Sequence, residues 1–462
     1  MVECTLVMTA LLASLADQGH GAESAVGAKA EEIVLRLLIQ LIVILLVTRG
    51  VVLLARRLGQ TDVSGEILAG ILLGPSLLGA LAGTIDPGFM NRLFHPSTSV
   101  IFTGLAQVGL VLLLFQIGLE FEFRTHLGED RRPIFVISAT GIAVPFLLGY
   151  LSAPWFHAHL PETVKPSLFA FRLFFAVAMS ITAIPVLGRI FMELGLSHTR
   201  TAALTIGSAA IDDVTGWLIL GAISLIVQDK PLLSWVLPRI AGLAVYLFVV
   251  FRLLRPVLRR AVAAHLERAG SLRVTAVAWI LLLLFASATI TSLLGVFAII
   301  GGFVMGVALH DDRRFVEAWK QRVAPLVQAF FLPIFFTYTG LRTDIGTIPG
   351  GFGLLMLVLV CAIAFVAKLG GCYLAARWVG ESRRSALTIG VCMNTRALME
   401  LIALNIGLDL GVLTRSMFTM LVIMAIASTF MATPLIRILM RGQERLTGEA
   451  AEVEAARAAA RS

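Results

Sequence analysis

Residues 200–227 have the sequence RTAALTIGSAAIDDVTGWLILGAISLIV, an apolar segment with two adjacent aspartates near its middle. A helix of about 20 apolar residues is long enough to cross the hydrocarbon core of a bilayer. Asp212 and Asp213 would then lie inside the membrane, where an ionisable side chain costs at least about 2.5–3.5 kcal/mol on insertion scales. The segment therefore predicts a membrane-spanning helix with a functional site.

The rest of the chain has the composition of a membrane protein. Of its 462 residues, 58% are hydrophobic and 14% are charged, whereas about a quarter of the residues of soluble domains are charged. A mean hydropathy of +0.92 leaves no room for a separate soluble domain of ordinary size. The sequence thus predicts an all-α polytopic membrane protein with about thirteen spans. They lie at 32–56, 63–82, 98–121, 133–153, 167–193, 200–227, 232–253, 273–292, 294–309, 322–342, 352–377, 386–410 and 415–437.

Lysine and arginine are concentrated in alternate loops, those that follow odd-numbered spans. The largest group follows span seven and consists of Arg252, Arg255, Arg259, Arg260, Arg268 and Arg273. The other loops, such as 154–166, 228–231 and 410–414, are short or poor in these residues. This bias predicts a cell (inner) membrane protein with the N-terminus outside and the C-terminus in the cytoplasm. It also accounts for the net charge of +8, which therefore does not indicate nucleic-acid binding.

Short sequence patterns are shared by three pairs of spans and occur in the same order in both halves of the chain. Span two matches span nine, span three matches span ten, and span five matches span twelve. Gly70-x-x-x-Gly74 in span two, for example, matches Gly302-x-x-x-Gly306 in span nine. The members of each pair are seven spans apart, and an odd offset inverts one half relative to the other. Inverted repeats are typical of transporters. Chance similarity is the alternative, because GxxxG is common in membrane helices.

Spans five and twelve both contain features that interrupt a helix. Pro185 lies inside span five near Thr182, and span twelve has Asn394 and Thr395 at the matching place. Backbone carbonyls freed at such breaks can coordinate a cation. We therefore predict two crossed discontinuous helices with Thr182, Asn394 and Thr395 at the crossing. A simple proline kink is the alternative.

The aspartate pair has a possible counter-charge in span eleven. Two adjacent carboxylates cannot both ionise cheaply in a low dielectric, so Asp212 and Asp213 favour a site that holds either a proton or a small cation. Lys368 lies mid-span, too deep for its amine to reach the interface. It needs a carboxylate, and either aspartate is a suitable partner. The alternatives are an aspartate that only caps a helix and a static ion pair.

Other charged residues also fall inside spans. Arg396 and Glu400 are four residues apart in span twelve and share a helical face, which favours a structural or gating pair over a direct ligand. Glu66 in span two and Arg49 in span one have no assigned partner. Within the apolar runs, the cysteines lack metal-ligand spacing and are interpreted as small apolar residues. They are Cys361, Cys372 and Cys392.

Four segments together resemble the second cation:proton antiporter family, the sodium/proton exchanger domain, and are most similar to its cation/H⁺ exchanger branch. The resemblance covers residues 32–437, between a signal-like N-terminal segment (1–31) and a short cytoplasmic tail (438–462). The segments are Gly65-Glu-Ile-Leu-Ala-Gly-Ile-Leu-Leu-Gly-Pro75, Ala210-Ile-Asp-Asp-Val-Thr-Gly-Trp217, Leu332-Pro-Ile-Phe-Phe336 with Gly340-Leu341, and Met393-Asn-Thr-Arg-Ala-Leu-Met-Glu400.

The resemblance implies a homodimer of thirteen-helix subunits, each with a dimerisation domain and a moving core domain. It implies that Asp213 carries the cation (Na⁺ or K⁺) and the proton. It also implies that Asp212 pairs with Lys368 and exchanges that partner during transport. The Asp-Asp form is associated with electrogenic exchange. The expected protein is a secondary antiporter and not an enzyme, with no cofactor.

One departure from the family concerns regulation. Kef-type members have a C-terminal nucleotide-binding domain, but here only 438–462 follow span thirteen, with no GxGxxG after a strand and no P-loop. Ligand gating of that kind and ATP-driven transport are therefore not expected. A cation channel or uniporter of the same fold remains the alternative. An intramembrane aspartyl protease is disfavoured, because its two aspartates belong to different helices.

Overall fold

The computed structural model describes residues 25–440 except 84–85, 87, 95, 121–130, 163–164, 229–230, 232, 270, 296, 342–349 and 397. In these residues all regular secondary structure is helical, which confirms the predicted class. The helices are α1 (Ala25–Arg57), α2 (Asp62–Leu73), α3 (Pro96–Glu120), α4 (Arg132–Ala158), α5 (Leu168–Ala178), α6 (Ile184–Glu193), α7 (Arg200–Val227), α8 (Leu233–Phe248), α9 (Arg255–Ala269), α10 (Val274–Leu293), α11 (Ala298–Leu309), α12 (Arg313–Arg322), α13 (Leu332–Leu341), α14 (Gly350–Trp378), α15 (Arg383–Met393), α16 (Leu398–Asp409) and α17 (Arg415–Met440). Short helical segments lie at Pro75–Gly79, Ala80–Gly83, Phe89–Leu93, Val249–Leu254, Ala324–Leu326 and Val327–Phe331.

Nine helical runs in the described part of the chain are long and apolar enough to cross a bilayer. The predicted spans five, nine, ten and twelve coincide instead with shorter or interrupted helices. Three of the shorter apolar stretches are Leu168–Ala178, Ala298–Leu309 and Ala324–Tyr338. A multi-pass membrane protein is confirmed, whereas the total of thirteen spans stays a prediction. Residues 25–31, assigned from sequence to the N-terminal segment, belong to α1, and residues 1–24 and 441–462 lie outside the described part.

Two of the predicted spans are broken near their middle. Span five is divided into α5 and α6 by residues 179–183, and span twelve into α15 and α16 by a break that includes residues 394–396. Pro185 is the second residue of α6, where its missing N–H costs no helical hydrogen bond. The chain is therefore interrupted before the proline and is not simply kinked at it.

The helices pack in two groups. In the α3 bundle, α11 packs along α3, and α1, α2, α10 and α13 lie around this pair. In the α7 bundle, α4 packs against α5, α7 and α14, and α15, α16 and α17 complete the group. The bundles meet where α6 packs on α2 and α3. This arrangement places the broken helices α5–α6 and α15–α16 in the same bundle as the aspartate pair.

Glycines allow the backbones of α3 and α11 to contact each other directly. A Cβ atom added at Gly306 would lie 2.2 Å from the carbonyl oxygen of Phe115, and one at Gly302 would lie 2.6 Å from that of Val111. Gly118 on α3 has the same property, 2.4 Å from the carbonyl oxygen of Phe303. The GxxxG pattern of span nine is thus a packing motif, as such patterns commonly are in membrane helices.

Replacing Gly306 with alanine is expected to destabilise the protein by about 1–3 kcal/mol, the usual range for overpacking, because the opposing carbonyl belongs to a helix backbone and cannot move alone. Gly104 on α3 is the control, because an added Cβ there meets nothing within 4 Å. The measurement is the thermal unfolding midpoint of both variants in detergent. Equal midpoints for Gly306→Ala and Gly104→Ala would contradict this packing.

The helix of span seven is longer than its apolar run. It was predicted to end at residue 253, but it continues as one helical run to Ala269. Arg255 forms an ion pair with Asp311, and Arg259 lies 3.2 Å from the same carboxylate. Burial raises the pKa of the Asp311 carboxyl, but the charges of His310, Arg255 and Arg259 outweigh it and hold the pKa below its usual value. The basic residues therefore extend the helix by tertiary contacts that hydropathy does not detect.

Candidate functional site

Asp212 lies on α7 at the centre of the α7 bundle and is 1% exposed. Its carboxylate accepts three hydrogen bonds from three different elements. Ser138 on α4 donates to Oδ1 (2.6 Å), and Thr182 in the break of span five donates to Oδ2 (3.0 Å). Lys368 on α14 donates to Oδ2 from 2.9 Å. The charge of Asp212 is thus fully compensated by side chains that fix its position.

Lys368 is completely buried and uses all three of its donors. Besides Asp212, its Nζ donates to the carbonyl oxygens of Gly141 (2.7 Å) and Ser180 (2.6 Å). The residues alone left either aspartate open as its partner, whereas the family resemblance implied Asp212, and in the structure the partner is Asp212. The lysine therefore joins α14 to α4, to α7 and to the break of span five.

Asp213 is adjacent in sequence but has a different environment. It is also 1% exposed, yet neither oxygen makes a hydrogen bond of normal geometry with the described residues, although the N–H of Ile184 at the start of α6 approaches it. Successive helical residues point about 100° apart, which separates the two carboxylates. Asp213 faces a pocket of about 10 Å³, near the minimum for one water molecule. The other lining residues are Ile181, Gly216, Trp217 and Leu220.

The two helix breaks contact each other beside Asp212. The N–H of Ala183 donates to the carbonyl oxygen of Thr395 (3.0 Å), and the hydroxyl of Thr182 also lies 3.2 Å from the carbonyl oxygen of Met393. The Thr395 hydroxyl donates to Cys392 O within its own chain segment. The side chain of Asn394 is buried without a hydrogen bond to the described residues. Of the three polar residues predicted at the crossing, only Thr182 donates to an aspartate.

Arg396 binds the end of the other broken helix. Its guanidinium donates to the carbonyl oxygens of Ala178 (2.7 Å) and Met179, at the C-terminus of α5, and lies 3.6 Å from Glu400. All the side-chain atoms of Arg396 and Glu400 are buried. A cation at a helix C-terminus is stabilised by the helix dipole and satisfies carbonyls that lack an intrahelical partner. The sequence indicated the pair with Glu400, but not this contact.

Replacing Arg396 with methionine is expected to lower the free energy of unfolding by about 1.5–3 kcal/mol, the usual contribution of hydrogen bonds to a charged group, because two carbonyls at the end of α5 lose their partner. Arg383→Met is the matched control, since Arg383 is exposed at the start of α15. Thermal unfolding of the two variants in the same detergent measures the difference. The proposed contact is wrong if the two variants unfold at the same temperature.

Further polar residues lie where α6 meets α2. Glu66 is buried, and the positive charges that act on it belong to Arg189 and Arg49. Arg189 lies 2.6 Å from Glu193, which accepts a hydrogen bond from the backbone N–H of Asp62 (2.7 Å). Sequence analysis assigns no partner to Glu66 and does not identify Arg189, Glu193 or the serine on α4. A lone serine in an apolar helix has no distinguishing pattern, so no sequence signal could have found it.

Comparison with known proteins identifies the family. The sequence model of the family described as "sodium/hydrogen exchanger, transmembrane" matches residues 41–442. The chain belongs to this family. The resemblance seen in its motifs is therefore confirmed, and the family consists of transporters. The sequence is 35% identical to the Na⁺/H⁺ antiporter NhaS4 of Synechocystis, over 87% of this chain and 96% of that protein.

Other relatives in the comparison are also named as cation/H⁺ antiporters. The K⁺/H⁺ antiporter 1 of Saccharomyces cerevisiae is 31% identical over 87% of this chain. The chain spans about half the length of that protein and of the Arabidopsis cation/H⁺ antiporters that it also matches. The structure of the sodium proton antiporter MjNhaP1 from Methanocaldococcus jannaschii superimposes with a TM-score of 0.60 at 17% identity, covering 89% of this chain and 99% of that one. That likeness shows the shared fold.

Proposed function

We propose that this chain is a secondary active antiporter that exchanges Na⁺ or K⁺ for H⁺ at Asp213, by alternating access. The main support is the contrast between two neighbouring carboxylates. Asp212 is neutralised by Lys368, whereas neither oxygen of the buried Asp213 makes a hydrogen bond of normal geometry with the described residues. A buried carboxylate in that state must take up a proton or a cation, because an uncompensated charge is costly in a low dielectric. The antiporter relatives agree with this proposal.

Competition at one carboxylate couples the two fluxes. A cation that binds Asp213 from one side displaces its proton, and the core then exposes the site on the other side. Proton binding there releases the cation and returns the core. Because no side chain of the described residues donates a hydrogen bond to Asp213, a cation there would not have to displace a side-chain donor. No separate gate is needed to prevent both ions from occupying the site together.

Exchange is proposed to be electrogenic, through Lys368. If Lys368 keeps its proton throughout, one proton on Asp213 exchanges for one cation and no net charge moves. If the cation also draws Asp212 away, Lys368 loses its partner and releases its proton, as a buried lysine without a counter-charge does. Two protons then exchange for one cation. The partner change would break the 2.9 Å contact between Lys368 and Asp212 and the hydrogen bonds of Ser138 and Thr182 to the same carboxylate.

The architecture of the transport domain, residues 32–437, is proposed on the same basis. The α7 bundle is the moving core, and its two broken helices cross at residues 179–183 and 394–396. The α3 bundle is the dimerisation domain of a homodimer. Thirteen spans place the N-terminus outside and the C-terminus in the cytoplasm of the inner membrane, in agreement with the positions of lysine and arginine in the loops.

The test is proton flux in proteoliposomes, driven by pulses of NaCl or KCl, with the membrane potential clamped or free. Exchange predicts that a cation dissipates a preset pH gradient with saturable kinetics. Electrogenic exchange further predicts that the rate responds to the membrane potential. A cation flux that does not saturate and does not depend on the proton gradient would favour the alternative, a channel or uniporter. Correctly inserted protein that moves protons with neither cation would refute the proposal.

A further inference from the structure

One face of α7 leads from Asp213 toward the C-terminal end of the helix. Asp213, Gly216, Trp217 and Leu220 follow at helical spacing and therefore share that face. All four line the small pocket at the Asp213 carboxylate, together with Ile181 from the break of span five. Trp217 therefore borders the space beside the Asp213 carboxylate.

The indole of Trp217 is covered by a ring from the other bundle. Its plane stacks on that of Phe297, with ring centroids 4.9 Å apart and an angle of 5° between the planes. Phe297 immediately precedes α11, which packs along α3 and α10, whereas α7 packs on α4, α5, α6 and α15. The ring pair therefore joins the two bundles next to the pocket.

A second aromatic residue, from α8, contacts α7 one turn further along that helix. The ring of Trp235 on α8 packs so closely on Gly221 that a Cβ atom there would lie 2.1 Å from it. The guanidinium of Arg239 lies over this ring, 3.9 Å from its centroid. Trp235 and Arg239 therefore cover α7 at Gly221, the residue that follows the pocket-lining Leu220.

We propose that Trp217 and Phe297 form a gate over the Asp213 pocket and that the gate opens when the two bundles move relative to each other. This inference rests on the proposed function, because only alternating access requires such an opening. The positive loop at Arg200 assigns the start of α7 to the cytoplasm, so the gate is on the outer side. Trp217 and Phe297 would then control access to the ion site although they bind neither ion.

The gate is tested by the accessibility of the pocket from outside. Gly216→Cys is the probe, because a Cβ atom there meets only Ile181, at 3.6 Å. The background is the full chain with its four native cysteines replaced by alanine. A membrane-impermeant methanethiosulfonate reagent is added to the outside of right-side-out vesicles, and modification of the cysteine is followed by peptide mass spectrometry. Inside-out vesicles report access from the cytoplasm.

Removing either ring is expected to speed external modification about threefold to tenfold, the change in the open fraction that loss of one aromatic pair produces. Trp217→Ala and Phe297→Ala each remove the pair from one side, and Trp217→Phe retains an aromatic ring as the control. Unchanged rates in both alanine variants would overturn the gate, as would faster modification only from the cytoplasm. If one variant does not fold, the other still decides.

This assay does not depend on transport. Faster modification in a protein that exchanges no ions would refute the proposed function and leave an aromatic closure of the pocket. Normal exchange with unchanged modification would refute the gate and leave the antiporter proposal intact.

Discussion

Asp213→Asn is expected to reduce cation-driven proton flux to the level of protein-free liposomes. The asparagine amide has nearly the same shape but cannot carry a proton or supply a negative charge to a cation. Because Asp213 makes no hydrogen bond of normal geometry with the described residues, the substitution breaks none. The folded protein should therefore be at least as stable as wild type, since an uncompensated buried carboxylate is unfavourable.

The control for this prediction is Asp409→Asn, at the exposed end of α16. It makes the same chemical change far from the proposed site and should leave the flux unchanged. The measurement is the initial rate of proton flux after a NaCl or KCl pulse, at equal protein content. Asp213→Asn protein that still exchanges ions would show that another group carries them.

Lys368→Met is expected to lower the free energy of unfolding by about 3–5 kcal/mol, the usual cost of removing one partner from a buried ion pair. The change leaves Asp212 as an uncompensated charge and removes the donor to the carbonyls of Gly141 and Ser180. Adding Asp212→Asn should recover much of the loss, because the double variant no longer buries a lone charge. Thermal unfolding of the two single variants and the double variant measures the coupling.

Lys165→Met provides the control for the loss of a lysine. Lys165 also donates to a backbone carbonyl, that of Ala158 at 2.8 Å, but it is exposed, so water can replace it. Its substitution should change the unfolding temperature little. If Lys368→Met is as stable as Lys165→Met, or if Asp212→Asn recovers nothing, the ion pair does not have the assigned role.

The membrane fold and the charged centre of the site could be predicted from sequence, because the apolar bilayer constrains both the backbone and the charged side chains. Apolar runs must cross the bilayer as helices, since unpaired backbone groups are too costly there. Charged side chains inside those runs are rare, so their position alone indicates Asp212, Asp213 and Lys368 as candidate site residues. Which aspartate contacts Lys368 could not be derived from hydropathy and charge, because that depends on how α7 is rotated relative to α14; only the family resemblance implied Asp212.

The parts that sequence missed depend on backbone atoms and on tertiary contacts. Arg396 binds two carbonyls at the end of α5, and every residue has a carbonyl, so no pattern marks them. The extension of span seven through α9 is held partly by Asp311, a distant acid that hydropathy does not connect to it. The stack of Trp217 on Phe297 joins segments 80 residues apart, and aromatic residues are too common in membrane helices to indicate it.

If proton and cation compete for the Asp213 carboxylate, cation binding must release protons from the purified protein. Purified protein in weakly buffered detergent solution is titrated with NaCl or KCl, with choline chloride as the control, and the pH is followed. We expect saturable acidification by one or both cations, lost in Asp213→Asn and retained in Asp409→Asn. Cation binding without proton release, or release that persists in Asp213→Asn, would contradict it.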